Sequence, residues 1–543
     1  MDMYRAFLAI IISFLILVGY QYLFVPSPVE QPAVSQEAQQ PPDAGKQDAG
    51  PAVALPPAEA TKVDPAAREI TVETPLYTAV IHEQGGGIKS FVLKGYNKEL
   101  KAESGAMQLV QTSLVTELPM LFSLRGGTPE GLPVYRAEKE KITVAEVDGK
   151  TSLIMQADLA GDIRIVRTLV FDPASYLIGD SYRVENGSSV PVSTQPAVVL
   201  TNKPFSAENA ASRFMFSGPV ALVNGSLAEV KGKKLSKGTE TLQGEIGWTA
   251  YEDNYFICAI LPETAGNRTV TLSAQDETVR TVLSDEAAVL DPAAAREFNY
   301  SVYFGPKKLT LLKQVDQDLS KAINFGWFDV LAKPMLWLLN FFYDFIGNYG
   351  IAIILLTVVI KGVFWPITQK GMKSMKNMQK LQPKVAKLKE KYKGDPQKMN
   401  QEMMALYKTY KVNPLGGCLP LLLQIPFFFA LYKVLLMSIE LRHAPFMLWI
   451  NDLAAPDRLW VGFDIPFLHG IPVLTLLMGA SMYLQQKMTP TTADPTQAKI
   501  MQMLPIIFTF MFLNFASGLV LYWFVNNLLS ILQQQLINRQ TRA

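Results

Sequence analysis

Lys361 stands inside the apolar run Ile351-Ala-Ile-Ile-Leu-Leu-Thr-Val-Val-Ile-Lys361-Gly-Val-Phe-Trp-Pro366, which is long enough to belong to a bilayer-spanning helix. An ammonium group near the middle of such a helix costs roughly 2.5–3.5 kcal/mol on insertion scales, so these residues usually face protein or a wet cavity. There it would attract an anionic group. The alternative is that the long stem carries the charge out to the headgroups, but several apolar residues still separate Lys361 from Lys370. Other polar residues punctuate apolar runs in the same way. Thr357 lies one helical turn from Lys361, Gln424 interrupts a second run, and Asn526 and Asn527 interrupt a third. They fit one shared wet cavity, or plain hydrogen bonding between helices.

Other chemistry is sparse. The chain holds only three histidines, His82, His443 and His469, too few and too scattered for a His-based metal site or a triad. Gly85-Gly-Gly87 is not followed by Gly-Lys-Ser/Thr and reads as a turn rather than a phosphate loop. Cys258 and Cys418 fall on opposite sides of the membrane in the topology below and read as small buried apolar groups. No catalytic, cofactor-binding or metal-ligating set is expected.

The elements that position these residues follow from hydropathy. One bilayer-length block runs from Ala6 to Val25 behind Arg5, and others lie near Tyr349 to Thr368, Cys418 to Met437, Ile471 to Leu484 and Ile500 to Leu536. The last is too long for one span and divides at Phe515-Ala-Ser-Gly518, giving six spans. Twelve lysines between Lys370 and Lys411, against Glu390, Asp395 and Glu402, place that loop and both termini in the cytoplasm. The formal net charge of +2 conceals this asymmetry. The first block lacks an Ala-x-Ala cleavage site and reads as an uncleaved signal anchor, residues 1–25.

Residues 26–67 are rich in Pro, Ala and Gln and read as a flexible tether. Residues 68–306 alternate with a period of two, as in Glu69-Ile-Thr-Val-Glu73 and Ile163 to Phe171, which predicts an antiparallel β sandwich outside the membrane. Residues 307–346 form a connector in which Leu319, Ile323, Trp327, Phe328 and Leu331 recur at helical spacing. That predicts an amphipathic helix, lying along the membrane surface or packed on the β domain. Residues 347–538 form a five-span core, and 539–543 a short cytoplasmic tail. Within the core, 370–415 predict two paired helices, with Pro383 in the first turn of one and Asp395-Pro396 starting the other. Their lysine-rich surface is either simply solvated near anionic lipid or a docking face for ribosomal RNA or a targeting factor.

The run from Lys411 through Asn413-Pro-Leu-Gly-Gly-Cys-Leu-Pro to Tyr432 resembles the YidC insertases of Gram-negative bacteria, in the wider Oxa/Alb/YidC family. The likeness continues through Glu440-Leu-Arg-His-Ala-Pro-Phe446, Gln486 to Thr492, Ser517-Gly-Leu-Val-Leu-Tyr522 and Gln533 to Ile537. It implies a polytopic α-helical protein with a periplasmic β sandwich, which inserts and helps fold inner-membrane proteins, alone or beside the Sec translocon, without hydrolysis or a cofactor. It also implies a hydrophilic groove, closed toward the periplasm but open to the cytoplasm and lipid, in which Lys361 occupies the place of the family's usual Arg. Tyr522 and Trp523 stand where two tyrosines are usual, the second a client contact. Lys361 keeps the charge but lacks the planar fork for bidentate carboxylate binding, and Trp523 exchanges a hydroxyl for an indole N–H. The implied partners are nascent membrane proteins, the Sec translocon, ribosome and targeting factors at the hairpin, and lipid. A transporter could also bury a Lys in a membrane cavity, but paired halves with broken helices are not evident in the sequence.

Overall fold

The structure is a computed structural model that describes residues 53–55, 63–129, 131–147, 149–205, 216–264, 266–392, 394–410, 419–466, 468–488 and 495–540. The expected first span, Cys418 and most of the expected tether lie outside the described residues.

Alternation in the sequence becomes alternation in burial. Ile163–Phe171 buries every second side chain and pairs antiparallel with Thr151–Leu159 on one edge and Leu177–Asn186 on the other. The β region comprises sheets of thirteen, five and three strands. In the five-stranded sheet Tyr77–His82 pairs with Glu69–Glu73 and Ile88–Asn97. The larger sheets meet through aromatic side chains, with Phe91 against Phe304 at 5.4 Å and Tyr77 near Tyr176 at 6.3 Å between ring centres. Gly85 and Gly86 turn the chain with positive φ, and the Gly86 carbonyl accepts a hydrogen bond from Arg167 Nη1 at 2.5 Å. Arg167 thus reaches from the thirteen-stranded sheet to that turn, and it is paired with Asp180 in the core.

Glu83 fastens a second corner. Its buried carboxylate accepts from Arg68 N at 2.9 Å, Arg68 Nη2 at 2.7 Å, Ala137 N at 3.1 Å and Arg136 Nη1 at 3.1 Å. Burial pushes this carboxyl up, but the hydrogen bonds from Arg68 and Ala137 outweigh burial and hold it at about 2. Because the folded value lies below the ordinary 4.5, its stabilising contribution is complete above pH 4.5 and lost as pH falls through about 2. The β region's melting temperature should therefore fall below pH 4.5, with a weaker acid dependence in Glu83→Gln; equal acid slopes in both would exclude this role.

Part of the expected tether is ordered: Val53–Ala54 pairs in parallel with Val192–Ser193. In this short apolar patch, backbone pairing prevails over the surrounding Pro-rich composition. The connector also differs from expectation, because Leu319–Ala322 and Gly326–Phe328 are separate 3₁₀ turns and the α-helix begins only at Asp329. Asp318 and Gly326 adopt positive φ, which interrupts the helical period.

That helix, α1 (Asp329–Ile346), exposes Trp337, Phe341 and Phe345. It ends at Gly347, whose left-handed backbone donates its N–H to the Tyr343 carbonyl. Asn348 then caps α2 (Tyr349–Lys391) by accepting from Ile351 N at 3.1 Å, while its amide donates to the Phe446 carbonyl at 2.9 Å. Of the described helices, α2 alone is long and apolar enough to cross a membrane; shorter apolar stretches lie at Gln424–Met437 and Met501–Phe512.

Instead of starting a new helix, Pro383 lies inside α2, which continues without a break into the expected hairpin. The first turn is only one place that tolerates proline; here the helix accommodates it internally. The second hairpin helix, α3 (Pro396–Thr409), begins as expected, with the Asp395 carboxylate accepting from Lys398 N at 3.0 Å. Four more follow: α4 (Leu419–Met437), α5 (Val473–Met488), α6 (Pro495–Phe512) and α7 (Ser517–Gln540). The long apolar run breaks between Phe512 and Ser517, as the sequence indicates.

The segment between α4 and α5 is stitched to the helix ends. Asp457 accepts from Trp449 Nε1 at 2.6 Å and Thr475 N at 3.0 Å, and Ser517 Oγ donates to the Asp452 carbonyl at 2.7 Å.

Candidate functional site: a polar cluster around Lys361

Asn526, Ser530 and Gln533 are spaced by four and three, so they share one face of α7, and that face meets α2. Lys361, only 8% exposed, donates from Nζ to Ser530 Oγ at 2.6 Å and Asn526 Oδ1 at 3.3 Å. Ser530 Oγ in turn donates to the Asn526 carbonyl at 2.8 Å. Gln424 enters from α4, its amide donating to Asn526 Oδ1 at 3.1 Å and the Tyr522 hydroxyl at 3.3 Å. Four residues singled out in the sequence, Lys361, Gln424, Tyr522 and Asn526, therefore meet in one hydrogen-bonded cluster built from three helices.

Two others sit differently. Thr357 is buried, but its hydroxyl donates to Ile353 O at 2.6 Å within its own helix instead of joining the cluster. Trp523 turns toward Phe428 and Phe512, at 5.3 and 5.8 Å between ring centres, and its buried indole Nε1 has no hydrogen-bond partner.

Sequence reasoning missed Ser530, Thr368 and Gln533. Thr368 and Gln533 exchange hydrogen bonds across α2 and α7, with Gln533 Nε2 donating to Thr368 Oγ1 at 2.9 Å. The available signal was their helical register with Asn526 and Lys361. Farther along the same seam, Lys376 Nζ donates to Asn538 Oδ1 at 3.2 Å.

The electrostatics of the cluster are one-sided. Among the described residues, ion pairs in the helical region, such as Lys333–Asp329, do not include Lys361. Neutral oxygens engage two of its three N–H donors. A buried charge held without a counter-ion is costly and favours an incoming anionic group.

The fold thus joins a large β domain to a helical region that has a bilayer-length apolar helix and a buried polar cluster among its helices. Residues 341–543 match the family described as 60Kd inner membrane protein, and residues 69–338 match the YidC periplasmic domain. The membrane protein insertase YidC of Syntrophobacter fumaroxidans is 42% identical, over 98% of this chain and 99% of that protein. The Maridesulfovibrio salexigens protein of the same name is also 42% identical, over the full length of both. A crystal structure of an active YidC insertase with its first transmembrane domain resolved covers 88% of this chain and 94% of its own, at 20% identity and a TM-score of 0.36. The chain belongs to the YidC family of membrane protein insertases, and the β region is that family's periplasmic domain.

Proposed function

We propose that this chain inserts membrane proteins by letting a hydrophilic client segment enter a groove at Lys361 while the client's apolar segment stays against lipid. The observation that carries this reading is the buried Lys361 ammonium, held by Ser530 and Asn526 with no carboxylate partner among the described residues. A polar segment cannot cross hydrocarbon cheaply, and a wet groove partway through shortens the dry path. An acidic segment gains further from the ammonium. Gln424, Tyr522 and Asn526 offer it polar partners, Trp523 a stacking face, and Thr357 lines α2 nearby.

Release follows by partition. The groove's lipid side is assigned to α4 and α6, which scarcely touch each other among the described residues. Exposed Ile425 on α4 and Ile506, Ile507 and Phe510 on α6 supply apolar surface along which a client helix slides into lipid. The step requires no covalent chemistry.

The accompanying topology has six spans, both termini and the lysine-rich hairpin in the cytoplasm, and residues 26–67 as the periplasmic tether. The exposed aromatics of α1 lie along the membrane surface. The hairpin receives ribosomes or targeting factors, and the core also acts as a folding chaperone, alone or beside the Sec translocon.

The test is reconstitution of the purified full-length chain in liposomes, scoring a protease-protected fragment of a single-span client. Protection with the chain and none in empty liposomes is the expected result. Ion or solute flux without client protection would instead favour a transporter.

A further inference from the structure

A cavity of about 970 Å³ opens where the β domain meets the outer ends of α4 and α7. Its floor includes Tyr432, Leu435 and Leu436 of α4, with Phe515 and Leu519 at the start of α7. Tyr255 and Phe256 of the β domain line it from above, and the Tyr255 hydroxyl donates to the Leu436 carbonyl at 3.4 Å. Arg442 stacks over these two rings, 5.8 and 5.5 Å from their centres, and donates to the Lys98 carbonyl at 2.7 Å.

The charged lining is arranged unequally. Asp253 Oδ1 accepts from the backbone N–H groups of Tyr255 and Phe256, and Asp452 Oδ1 from those of His443 and Ala454. Lys98 and Lys101 are exposed at the rim with one carboxylate between them, Glu99. The rim, with two ammonium groups to one carboxylate, suits a polar segment bearing negative charge.

The same two helices carry this cavity and the Lys361 cluster. From Asn526 to Leu519 is two turns, about 10 Å of rise. Trp523 lies in that interval and belongs to a closed circle of five rings: Phe428 to Trp523 at 5.3 Å, Trp523 to Phe512 at 5.8 Å, Phe512 to Phe515 at 4.9 Å, Phe515 to Tyr432 at 5.8 Å, and Tyr432 to Phe428 at 6.4 Å. Tyr432 and Phe515 also face the cavity. A small apolar constriction of this kind excludes water and ions until side chains move. The unpartnered Trp523 Nε1 stands in the ring as a buried donor that a passing backbone carbonyl would satisfy.

We infer that the cavity beyond the five-ring layer is a receiving chamber that holds the client's translocated hydrophilic segment, preferably an acidic one. The inference rests on the insertase reading above and assigns the exit from its groove.

Photo-cross-linking in the full-length chain separates the two. Benzoylphenylalanine replaces Gln424 in the cluster, or Leu436 or Lys101 at the chamber, and the client carries an acidic tail halted partway by a folded domain. Adducts at Gln424 and at both chamber positions are expected. Adducts at Gln424 alone, or phospholipid instead of client at Leu436, would overturn the chamber and leave the insertase reading intact. Adducts at none of the three would overturn both. In addition, Lys98→Glu/Lys101→Glu, which alters exposed side chains only, should slow translocation of the acidic tail by about tenfold and leave a Gln/Asn-substituted tail unchanged. Equal effects on the two tails would remove the chamber's charge preference and overturn the proposal.

Discussion

Lys361→Gln should lower the initial rate of insertion of an acidic-tailed client by about ten- to a hundredfold, with little effect on the same client bearing a neutral tail. Glutamine is one atom shorter but places a neutral amide donor toward Ser530 and Asn526, so the substitution removes the charge that Lys361 now holds there at 2.6 and 3.3 Å while keeping a polar group in the cluster. A hydrogen bond to a charged group contributes about 1.5–3 kcal/mol, and each 1.4 kcal/mol is a factor of ten. Lys361→Arg should retain most of the rate, since it keeps the charge and adds donors. Protease protection in liposomes measures all three. A uniform loss with both tails would assign Lys361 a structural role, and an unchanged acidic-tail rate would remove the charge step altogether.

The second large effect is expected in the β domain. Arg167 and Asp180 are almost completely buried, joined by Nε to Oδ1 at 2.8 Å and Nη2 to Oδ2 at 2.6 Å, while the Tyr182 hydroxyl donates to Asp180 at 3.0 Å. Asp180→Ala leaves a buried guanidinium with the Gly86 carbonyl and the Tyr182 ring but no counter-ion, which should destabilise the domain by about 3–5 kcal/mol. For a domain of this size that corresponds to a fall in melting temperature on the order of 10 °C. The double substitution Arg167→Met/Asp180→Leu should recover most of the loss, because it leaves no unpaired charge. If the single variant melts within 2 °C of wild type, calorimetry will have excluded a structural role for the pair.

Sequence patterns carried these features unevenly. Strands such as Ile163–Phe171 were legible because one face is dry and the other wet, which writes a period of two into the chain. Lys361 was legible because a charge in an apolar run stands alone. Ser530 was not: serine is unremarkable in a helix, and its importance appears only when α7 is set beside α2. Gln533 and Thr368 escaped for the same reason, as a pair separated by 165 positions that no local pattern connects. The connector misled in the opposite sense. Its apolar spacing is helical from Leu319 onward, yet the positive φ of Gly326 divides it, and spacing does not record backbone sign. Trp523 was visible as a residue type, but its place in a closed circle of rings drawn from three segments was not.

The unbroken course of α2 has a mechanical consequence. Forty-three residues at 1.5 Å each make a rod of about 65 Å. Lys361 lies in the first third of that rod and the lysine-rich hairpin at its far end. Pro366, five residues beyond Lys361, and Pro383, nearer the hairpin, each lack the N–H that would complete the helical ladder, so one of the rod's two compliant points lies beside its buried charge. A force that the helix carries from the hairpin to Pro366 acts on the longer arm, with Lys361 on the short one. Displacements of several ångströms at the tip become fractions of an ångström at the ammonium, with the force multiplied in the same ratio.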